Sequence, residues 1–427
     1  MTYNFSNIFQ KKQEEILDEF INLHTSCISN YKSQNSDDIY SYYKKILETL
    51  SSDFQEDELI ENFEDLANFK ISLSVPYILM INEVYALKEV LISKMSSHEI
   101  NSNIIYILSL FKEINNKIAY IYLKKYIQNL LSINNLRIVS LCDLMEKNII
   151  SHYESHLQWL TKLALRIRDK DKEDFPELDS KLCDFGIWLD TDAKNIIQNN
   201  SKVKNIEALH DDLHLFARKL HEHIGDNEHH VHITYLEKCE FISLSIGTEL
   251  ALIDNVIMNK KVTKDALTGA LNRNGLRSIF ESQYELSLAT SNSFVLAICD
   301  LDNFKKINDT YGHIAGDKML ENFVSVTKKT IRNSDIIIRY GGEEFVIILP
   351  TLNKDDGFKV LQNVCKNFQD SVLNFESKEL RATVSIGMIE IEPQEVFNSS
   401  SIDEYIMIAD QRLYSAKEKG KNRVEYC

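Results

Sequence analysis

Proline and glycine are scarce in this chain, and long apolar runs are absent. Four prolines and twelve glycines in 427 residues predict long helices with few irregular loops. No apolar run approaches 18 residues, and the first residues, MTYNFSNIFQKKQEE, lack a basic segment followed by an apolar core. We therefore expect neither a signal peptide nor a transmembrane helix, and no membrane insertion.

Cysteine pairs and an excess of basic charge are also lacking. The seven cysteines are an odd number without a C-x-x-C pair, which is typical of reduced thiols and predicts a cytoplasmic protein. The net charge of −16 argues against nucleic acid and against an anionic membrane surface as partners. The composition, 44% hydrophobic and 26% charged, is that of a globular protein, and the length predicts about two to four domains.

The most informative stretch is RYGGEEF at residues 339–345, which lies between two apolar runs. We predict two strands joined by a tight turn that only Gly341 and Gly342 adopt without strain. The adjacent carboxylates of Glu343 and Glu344 repel each other unless a cation or a proton lies between them. A metal-assisted phosphate site is therefore predicted, with a solvated acidic hairpin as the alternative.

A third carboxylate follows a predicted buried strand at residues 294–299. Asp300 stands at the end of this strand, where a rigid backbone can present a Mg²⁺ ligand beside an open loop. If this strand pairs with the hairpin, Asp300 joins Glu343 and Glu344 in one site. Strands and helices alternate from Asp265 onward, which predicts an α/β domain.

Two helical regions precede this domain. Residues 1–145 carry apolar residues at helical spacing and predict an all-helical bundle of five or six helices, for which we hypothesise a sensory role. Residues 233–262 predict one helix with an apolar stripe, interpreted as a connector that forms a dimer. The histidine-dense segment at residues 221–232 is expected to be a solvated loop.

Between these regions, residues 146–232 contain four spaced candidates for metal ligation: His156, Cys183, His210 and His214. The last two are four residues apart, which places both imidazoles on one face of a helix. The alternative is a set of buried histidines around an inert core cysteine. The segments HLQW and LCDFGIW together with this histidine pair resemble the chemoreceptor zinc-binding domain, a four-helix bundle. The resemblance implies one Zn²⁺ on these four side chains, in a closed structural or sensory site.

Residues 263–427 resemble the diguanylate cyclase (GGDEF) family in its GGEEF variant. The resemblance rests on DALTGALNR, DLDNFKKINDTYGHIAGD, RYGGEEF, VSIG and ADQRLYSAKEKGKNRV, which follow in order. It implies a nucleotidyl-cyclase-like fold with a central five-stranded sheet, and the condensation of two GTP into cyclic di-GMP and two pyrophosphates. The expected fold class is a multidomain chain with an all-α bundle, a four-helix zinc bundle and this α/β domain.

The same resemblance implies roles for individual residues. Asp300, the backbone carbonyl of Leu301 and Glu344 would bind Mg²⁺, two ions per active site, and Glu343 would help deprotonate the attacking ribose hydroxyl. The glycines of the motif would let the backbone approach the nucleotide.

Two further pairs of residues are expected to bind the substrate. Asn308 and Asp317 would bind guanine. Lys417 and Lys421, one helical turn apart, would hold the triphosphate, although lysine at the second position cannot bind a phosphate in the bidentate manner of an arginine.

An R-x-x-D sequence, Arg332 to Asp335, matches the family's site for inhibition by the product. The segment after the hairpin offers Lys359 and Lys366 but no arginine, so inhibition is expected to be weaker than usual.

By the same resemblance one domain would hold one GTP, so the reaction is expected to require a homodimer. We expect zinc, or oxidation of the Cys183 thiolate, to regulate that dimer. The alternatives are a catalytically weak receptor for GTP or cyclic di-GMP, and a zinc- or redox-sensing scaffold.

Overall fold

The structure is a computed structural model that describes residues 12–28, 36–51, 55–95, 97–142, 149–197, 199–226, 228–261, 264–376, 378–398 and 401–426. The described part of the chain divides into two compact units. The first comprises Met1–Leu130, Ala164–Phe175 and Ala217–Glu237, and the second comprises Leu131–Leu163, Pro176–Phe216 and Lys238–Cys427. None of the described helices combines the length and the apolar character needed to cross a membrane.

Among the described residues before 145 there are five long helices, where five or six were predicted for residues 1–145. They are α1 Gln13–Ile28, α2 Ser36–Ser51, α3 Glu56–Ser72, α4 Tyr77–Ser93 and α5 Ser97–Cys142. After them come α6 Ile150–Asp169, α7 Asp184–Trp188, a π-helical turn Leu189–Ala193, α8 Lys194–Ile196, α9 Asn200–His223 and α10 His229–Lys261.

The first unit has an apolar core that encloses one ion pair. Leu59, Phe63 and Leu66 recur on one face of α3 and are fully or almost fully buried, as helical spacing predicts. Within this core the Lys70 ammonium, which has no exposed surface, contacts the Glu83 carboxylate, and the Tyr43 hydroxyl donates to the same carboxylate at 2.5 Å. Pairing and hydrogen bonding compensate for the cost of burying both charges.

The histidine-dense segment differs from the expected solvated loop. His221 and His223 end α9, and α10 begins at His229. His229 and His232 are buried, and the His232 ring bonds the backbone carbonyl of His223 at 2.9 Å. The prediction was wrong because helical spacing puts His229 and His232, three residues apart, on the same inner face of α10.

The second unit contains the α/β domain. Its elements are β1 Leu271–Asn272, a 3₁₀ turn Arg273–Gly275, α11 Leu276–Thr290, β2 Phe294–Leu301, α12 Phe304–Tyr311, α13 His313–Thr330, β3 Ile336–Arg339, β4 Glu344–Pro350, α14 Lys354–Asp370, β5 Leu373–Phe375, β6 Lys378–Leu380, β7 Val384–Ile391, α15 Ser401–Glu418 and β8 Val424–Glu425.

The main sheet has the strand order β1-β3-β4-β2-β7-β8. It therefore has six strands where the family resemblance implied five, and the two edge strands are only two residues long. Strand β2 lies between β4 and β7 and pairs with both in antiparallel register. All eight residues of β2 are buried, because helices cover both faces of the sheet.

Alternate side chains of β2 enter two different cores. Val295, Ala297, Cys299 and Leu301 pack against apolar residues of α13 and α14. The intervening Phe294, Leu296 and Ile298 pack against α11 and α15. This two-residue alternation explains why the strand reads as a continuous apolar run. Central placement of β2 also fixes the position of Asp300 at its carboxyl end.

Gly387, in the VSIG segment, lies where α15 crosses β7. A Cβ atom at this position would overlap the Ala409 carbonyl oxygen and the Leu413 backbone nitrogen of α15. Glycine is therefore required here by the close approach of helix and strand, and its φ angle is not in the left-handed region.

We expect Gly387→Ala to displace α15 from β7 and to destabilise the domain by about 1–3 kcal/mol, the usual cost of overpacking. Hydrogen exchange at the β7 amides, together with thermal unfolding, measures this. Gly342→Ala is the matched control, because a Cβ atom at Gly342 meets nothing within 4 Å. Equal stability of the two variants would contradict this packing.

Candidate active site and metal centre

The carboxyl end of β2 and the start of β4 bring two predicted metal ligands together. Asp300 and Glu344 are direct partners in the β2–β4 register, and Glu343 immediately precedes Glu344. The Glu343 carbonyl accepts a hydrogen bond from the Leu301 backbone N–H at 3.4 Å. The three predicted carboxylate residues thus lie together where β2 ends and β4 begins, with the Leu301 backbone beside them.

The turn between β3 and β4 is tight, but its two glycines do not adopt the left-handed backbone conformation. Tyr340 and Gly341 both donate backbone N–H groups to the Glu344 carbonyl, at 2.9 and 3.1 Å. Neither Gly341 nor Gly342 has a positive φ, so the prediction that only glycine avoids strain here was wrong. A Cβ atom at Gly341 would lie 2.6 Å from a carboxylate oxygen of Glu344, so that side chain would have to move. Gly342 borders open space, which leaves room for a ligand.

One cation lies within this carboxylate cluster. The Lys417 ammonium, near the end of α15, is 2.9 Å from the Asp300 carboxylate. Burial raises the pKa of Asp300, although Lys417 opposes that effect. Burial also raises the pKa of Glu343, and the neighbouring Asp300 adds to the rise. The site therefore holds more negative charge than Lys417 balances, which favours a bound cation.

Lys421 lies outside the helix that carries Lys417. Helix α15 ends at Glu418, and Lys421 adopts a left-handed φ of 65° in the following turn. Its ammonium donates to the Asn303 side-chain oxygen at 2.7 Å. The prediction of two lysines one helical turn apart was wrong because Gly420, with φ of 111°, turns the chain before Lys421.

The predicted guanine-binding residues lie on two consecutive helices. Asn308 is on α12 and the exposed Asp317 is on α13, and Gly312, with φ of 83°, separates the helices. The Asn308 side-chain oxygen lies against Gly316, where a Cβ atom would overlap it. Gly316 therefore lets Asn308 approach the first turn of α13, next to Asp317.

Two supporting interactions were not predicted from the sequence. The buried Asp302 carboxylate accepts hydrogen bonds from the Thr383 and Ser385 hydroxyls at 2.6 and 2.7 Å and from the Asn422 backbone N–H at 3.0 Å. It thereby joins β2, β7 and the segment after α15. Asp302 follows the last residue of β2, and its partners come from segments that are distant in sequence.

The other unpredicted interaction anchors the hairpin. The Arg339 guanidinium bonds the Asp265 carboxylate at 3.1 Å and the Gly342 carbonyl at 2.9 Å. The Arg273 guanidinium lies 4.6 Å from the centre of the Tyr340 ring. The DALTGALNR segment therefore contacts the first two residues of RYGGEEF, Arg339 and Tyr340.

Arg332 and Asp335 form a closed turn before β3. The Arg332 backbone N–H donates to the Asp335 carboxylate at 2.8 Å, and the Asp335 N–H donates to the Arg332 carbonyl at 3.0 Å. Burial raises the pKa of Asp335 to about 6. Arg332 also lines two clefts beside this turn.

Three of the four predicted zinc ligands form one buried cluster in the second unit. The ligand atoms of Cys183, His210 and His214 all lie within 4.8 Å of one another. The Cys183 sulfur is 3.2 Å from His210 Nε2, which is 3.1 Å from His214 Nε2. Bonds of about 2.0–2.3 Å to one Zn²⁺ would keep three such atoms within about 4 Å of each other, so this set fits the ion.

His156, the fourth predicted ligand, lies beside this group but outside its 4.8 Å limit. Its ring centre is 5.5 Å from that of His210. Its Nδ1 is 3.4 Å from the Ser243 hydroxyl, and its buried Nε2 has no hydrogen-bond partner among the described residues. A buried ring nitrogen without a partner is what an absent ligand would leave.

Burial keeps these imidazoles in the form that binds metal. It lowers the pKa of His156 well below the usual value and that of His210 to about 3, and neighbouring histidines add to both effects. Burial also raises the pKa of the Cys183 thiol, although backbone N–H groups, led by that of Gly186, oppose this. Gly186 is required because a Cβ atom would overlap the Ser180 carbonyl and lie 3.2 Å from His210.

Two family models match the regions that contain these residues. Residues 262–423 match the model described as "Diguanylate cyclase, GGDEF domain", and residues 156–221 match the chemoreceptor zinc-binding domain. The chain is 28% identical over 294 residues to the diguanylate cyclase DosC of Escherichia coli K12, an alignment that covers 68% of this chain and 62% of DosC. It is 27% identical over 279 residues to the diguanylate cyclase DgcZ of the same strain, covering 65% of this chain and 91% of DgcZ.

A solved structure is also similar to part of the chain. The GGDEF domain of DgcB from Caulobacter crescentus, in complex with c-di-GMP, aligns with 30% identity and a TM-score of 0.36. That alignment covers 38% of this chain and 92% of the DgcB domain. From the two family matches, the chain contains a chemoreceptor zinc-binding domain followed by a GGDEF domain of the diguanylate cyclase family.

Proposed function

We propose that the chain is a diguanylate cyclase that condenses two GTP into cyclic di-GMP with release of two pyrophosphates. The observation that carries this proposal is that Asp300 pairs with Glu344 in the β2–β4 register, beside Glu343. The Lys417 ammonium lies 2.9 Å from the Asp300 carboxylate. The names of the relatives DosC and DgcZ support the same reaction.

The carboxylate cluster fits Mg²⁺, since it offers hard oxygen ligands and unbalanced negative charge. Asp300, Glu344 and the Leu301 carbonyl would hold two ions, which when bound polarise the α-phosphate and stabilise the leaving pyrophosphate. Lys417, released from Asp300, would then hold the triphosphate together with Lys421. Glu343, whose pKa is raised by burial, is suited to accept the proton of the attacking ribose hydroxyl.

Guanine would be bound between α12 and α13. Asn308 offers an amide and Asp317 a carboxylate, and an acceptor carboxylate opposite the N–H edge of the base favours guanine over adenine. Gly342 borders open space, where the nucleotide would lie over the hairpin.

A homodimer completes the reaction. Each domain would bind one GTP, and the 3′ hydroxyl of one nucleotide would attack the α-phosphate of the other across two facing domains. The α10 helix, which leads into the GGDEF domain, is the segment proposed to bring them together. Residues 1–145 would form a separate sensory region, 146–232 the zinc region and 233–262 the connector.

Zinc would regulate this encounter. His156, Cys183, His210 and His214 would hold one Zn²⁺ in a closed site, and the bound metal would restrain the helices that lead into α10. Oxidation of the Cys183 thiolate would release the ion. Arg332 and Asp335 would bind the product as inhibitor.

Removing the carboxylate of Glu344 tests the active site. We expect Glu344→Ala to reduce cyclic di-GMP formation on the order of a thousandfold, because several kcal/mol of charge stabilisation is lost. Product formed from GTP and Mg²⁺ is measured by chromatography. Glu379→Ala, an exposed carboxylate of the same domain, should retain wild-type activity. Appreciable turnover by Glu344→Ala would refute the metal assignment.

A second prediction concerns the cation after α15. Lys421→Arg should lower the KM for GTP severalfold, because a guanidinium binds phosphate through two parallel hydrogen bonds. Lys419→Arg is the matched control, since Lys419 pairs with Glu425 at 2.6 Å and lies in the same segment. An unchanged KM in Lys421→Arg would place this side chain away from the triphosphate.

The zinc hypothesis predicts one equivalent of zinc in the purified protein and its loss in Cys183→Ala. His221→Ala, outside the cluster, should retain the metal. By the family resemblance zinc inhibits, so chelation should raise wild-type turnover and leave Cys183→Ala unaffected. Metal content and turnover are measured for each variant with and without chelator. Identical rates in wild type and Cys183→Ala, with and without chelator, would exclude zinc as a regulator.

A further inference from the structure

Within the second unit, helix α10 packs against α6, the helix that carries His156, through two contacts one turn apart. Ser243 of α10 has no exposed surface, and its hydroxyl lies 3.4 Å from Nδ1 of His156. One turn further along α10, a Cβ atom at Gly247 would overlap the Tyr153 ring. Tyr153 precedes His156 by three residues on α6, so both contacts belong to one register between the two helices.

The contact with Ser243 decides which ring nitrogen of His156 is available to a metal. Nε2 is buried and has no hydrogen-bond partner among the described residues, whereas Nδ1 lies beside the hydroxyl. A ring nitrogen that binds a metal carries no hydrogen, so a neutral imidazole that binds through Nε2 has its hydrogen on Nδ1. That N–H would donate to the Ser243 oxygen and leave the lone pair of Nε2 for zinc.

We infer that Ser243 is the positioning residue for the fourth zinc ligand, and that it links zinc binding to the position of α10. The inference rests on the zinc site that forms part of the proposed function. A metal on Nε2 withdraws electron density from the His156 ring, so the Nδ1–H group becomes a stronger donor to Ser243. Bound zinc therefore strengthens the contact between α6 and α10, and by linkage a displaced α10 weakens zinc binding by the same factor.

The same turn of α10 also reaches the α/β domain through one arginine. Glu240, three residues before Ser243, accepts a hydrogen bond from Arg137 of α5 at 3.1 Å. The Arg137 guanidinium, which is almost fully buried, also donates to the Ser291 hydroxyl at 2.8 Å, and Ser291 directly follows α11. Within one helical turn, α10 thus contacts the zinc site directly and the α/β domain through Arg137.

Zinc affinity of the full chain, measured by competition with a chromophoric chelator, tests the role of Ser243. Ser243→Ala should weaken Zn²⁺ binding about 10–100-fold, the usual cost of removing the hydrogen-bond partner of a metal-binding histidine. Alanine favours helix, so this variant retains α10. Ser245→Ala is the matched control and should bind zinc as wild type, because the Ser245 hydroxyl bonds the Phe241 carbonyl of its own helix at 2.9 Å.

A double-mutant cycle with His156→Ala separates positioning from a general effect on packing. If Ser243 acts through His156, Ser243→Ala has no further effect on zinc affinity once residue 156 is alanine. Co²⁺ in place of zinc gives a second readout, because its visible absorption depends on the number and geometry of its ligands. Ser243→Ala should shift the Co²⁺ spectrum toward that of His156→Ala, and Ser245→Ala should leave it unchanged.

Hydrogen exchange measures the link to α10 at saturating zinc, where occupancy is equal in all variants. Zinc should slow exchange of the amides of residues 239–247 in the wild type and in Ser245→Ala, and much less in Ser243→Ala. Zinc-independent exchange of this segment in the wild type would overturn the inference. Equal zinc affinities of Ser243→Ala and Ser245→Ala would do the same, as would an equal loss from Ser243→Ala with and without the His156 imidazole.

Turnover of GTP is measured on the same samples, so the proposals fail separately. A chain whose zinc binding depends on Ser243 but which makes no cyclic di-GMP would contradict the proposed reaction alone. A chain that makes cyclic di-GMP and binds zinc without any dependence on Ser243 would overturn the inference alone. A wild-type chain that binds no zinc would overturn the inference together with the zinc site on which it rests.

Discussion

The antiparallel register between β2 and β4 is the constraint on which the candidate active site depends. It places Asp300 opposite Glu344. Negative charge is thereby concentrated where β2 ends and β4 begins, in a sheet whose interior is otherwise apolar. Burial makes the charged form of these carboxylates unfavourable and raises the pKa of Asp300 and of Glu343, and the neighbouring Asp300 adds to the rise in the pKa of Glu343. Lys417 relieves part of it in this structure, and bound cations with a triphosphate would relieve the rest.

Glycines permit the close approaches that this site requires. Gly387 lets α15 contact β7 and thereby positions Lys417, while Gly316 lets Asn308 lie against α13. Gly186 does the same for the zinc cluster, where Ser180 and His210 are too close for any Cβ atom. The candidate active site and the zinc cluster thus both depend on glycines at positions where a Cβ atom would overlap a neighbouring backbone or side chain.

Much of this architecture could be predicted from the sequence. Three local features follow from short sequence patterns, and the structure contains all of them. They are the buried strand β2, the hairpin around the Gly-Gly pair, and the helix that carries two histidines four residues apart. The prediction that placed Lys421 on the helix overlooked Gly420, since a glycine just beyond the last helical residue is a common sequence signal for the end of a helix. The reason for Gly341 was also wrong, since it depends on the rotamer of Glu344 and not on φ. The partners of Asp302 are Thr383, Ser385 and Asn422, and pairing across such distances has no signal in one sequence.

The central claim is that two carboxylate-rich hairpins on two chains act on two GTP molecules. The most direct measurement incubates the purified full chain with GTP and Mg²⁺ and identifies the products by mass spectrometry across a range of protein concentrations. We expect cyclic di-GMP with two pyrophosphates for each molecule formed, and a specific activity that rises with protein concentration as dimers form. Unchanged GTP, or its hydrolysis to GDP and phosphate at a constant specific activity, would contradict the account.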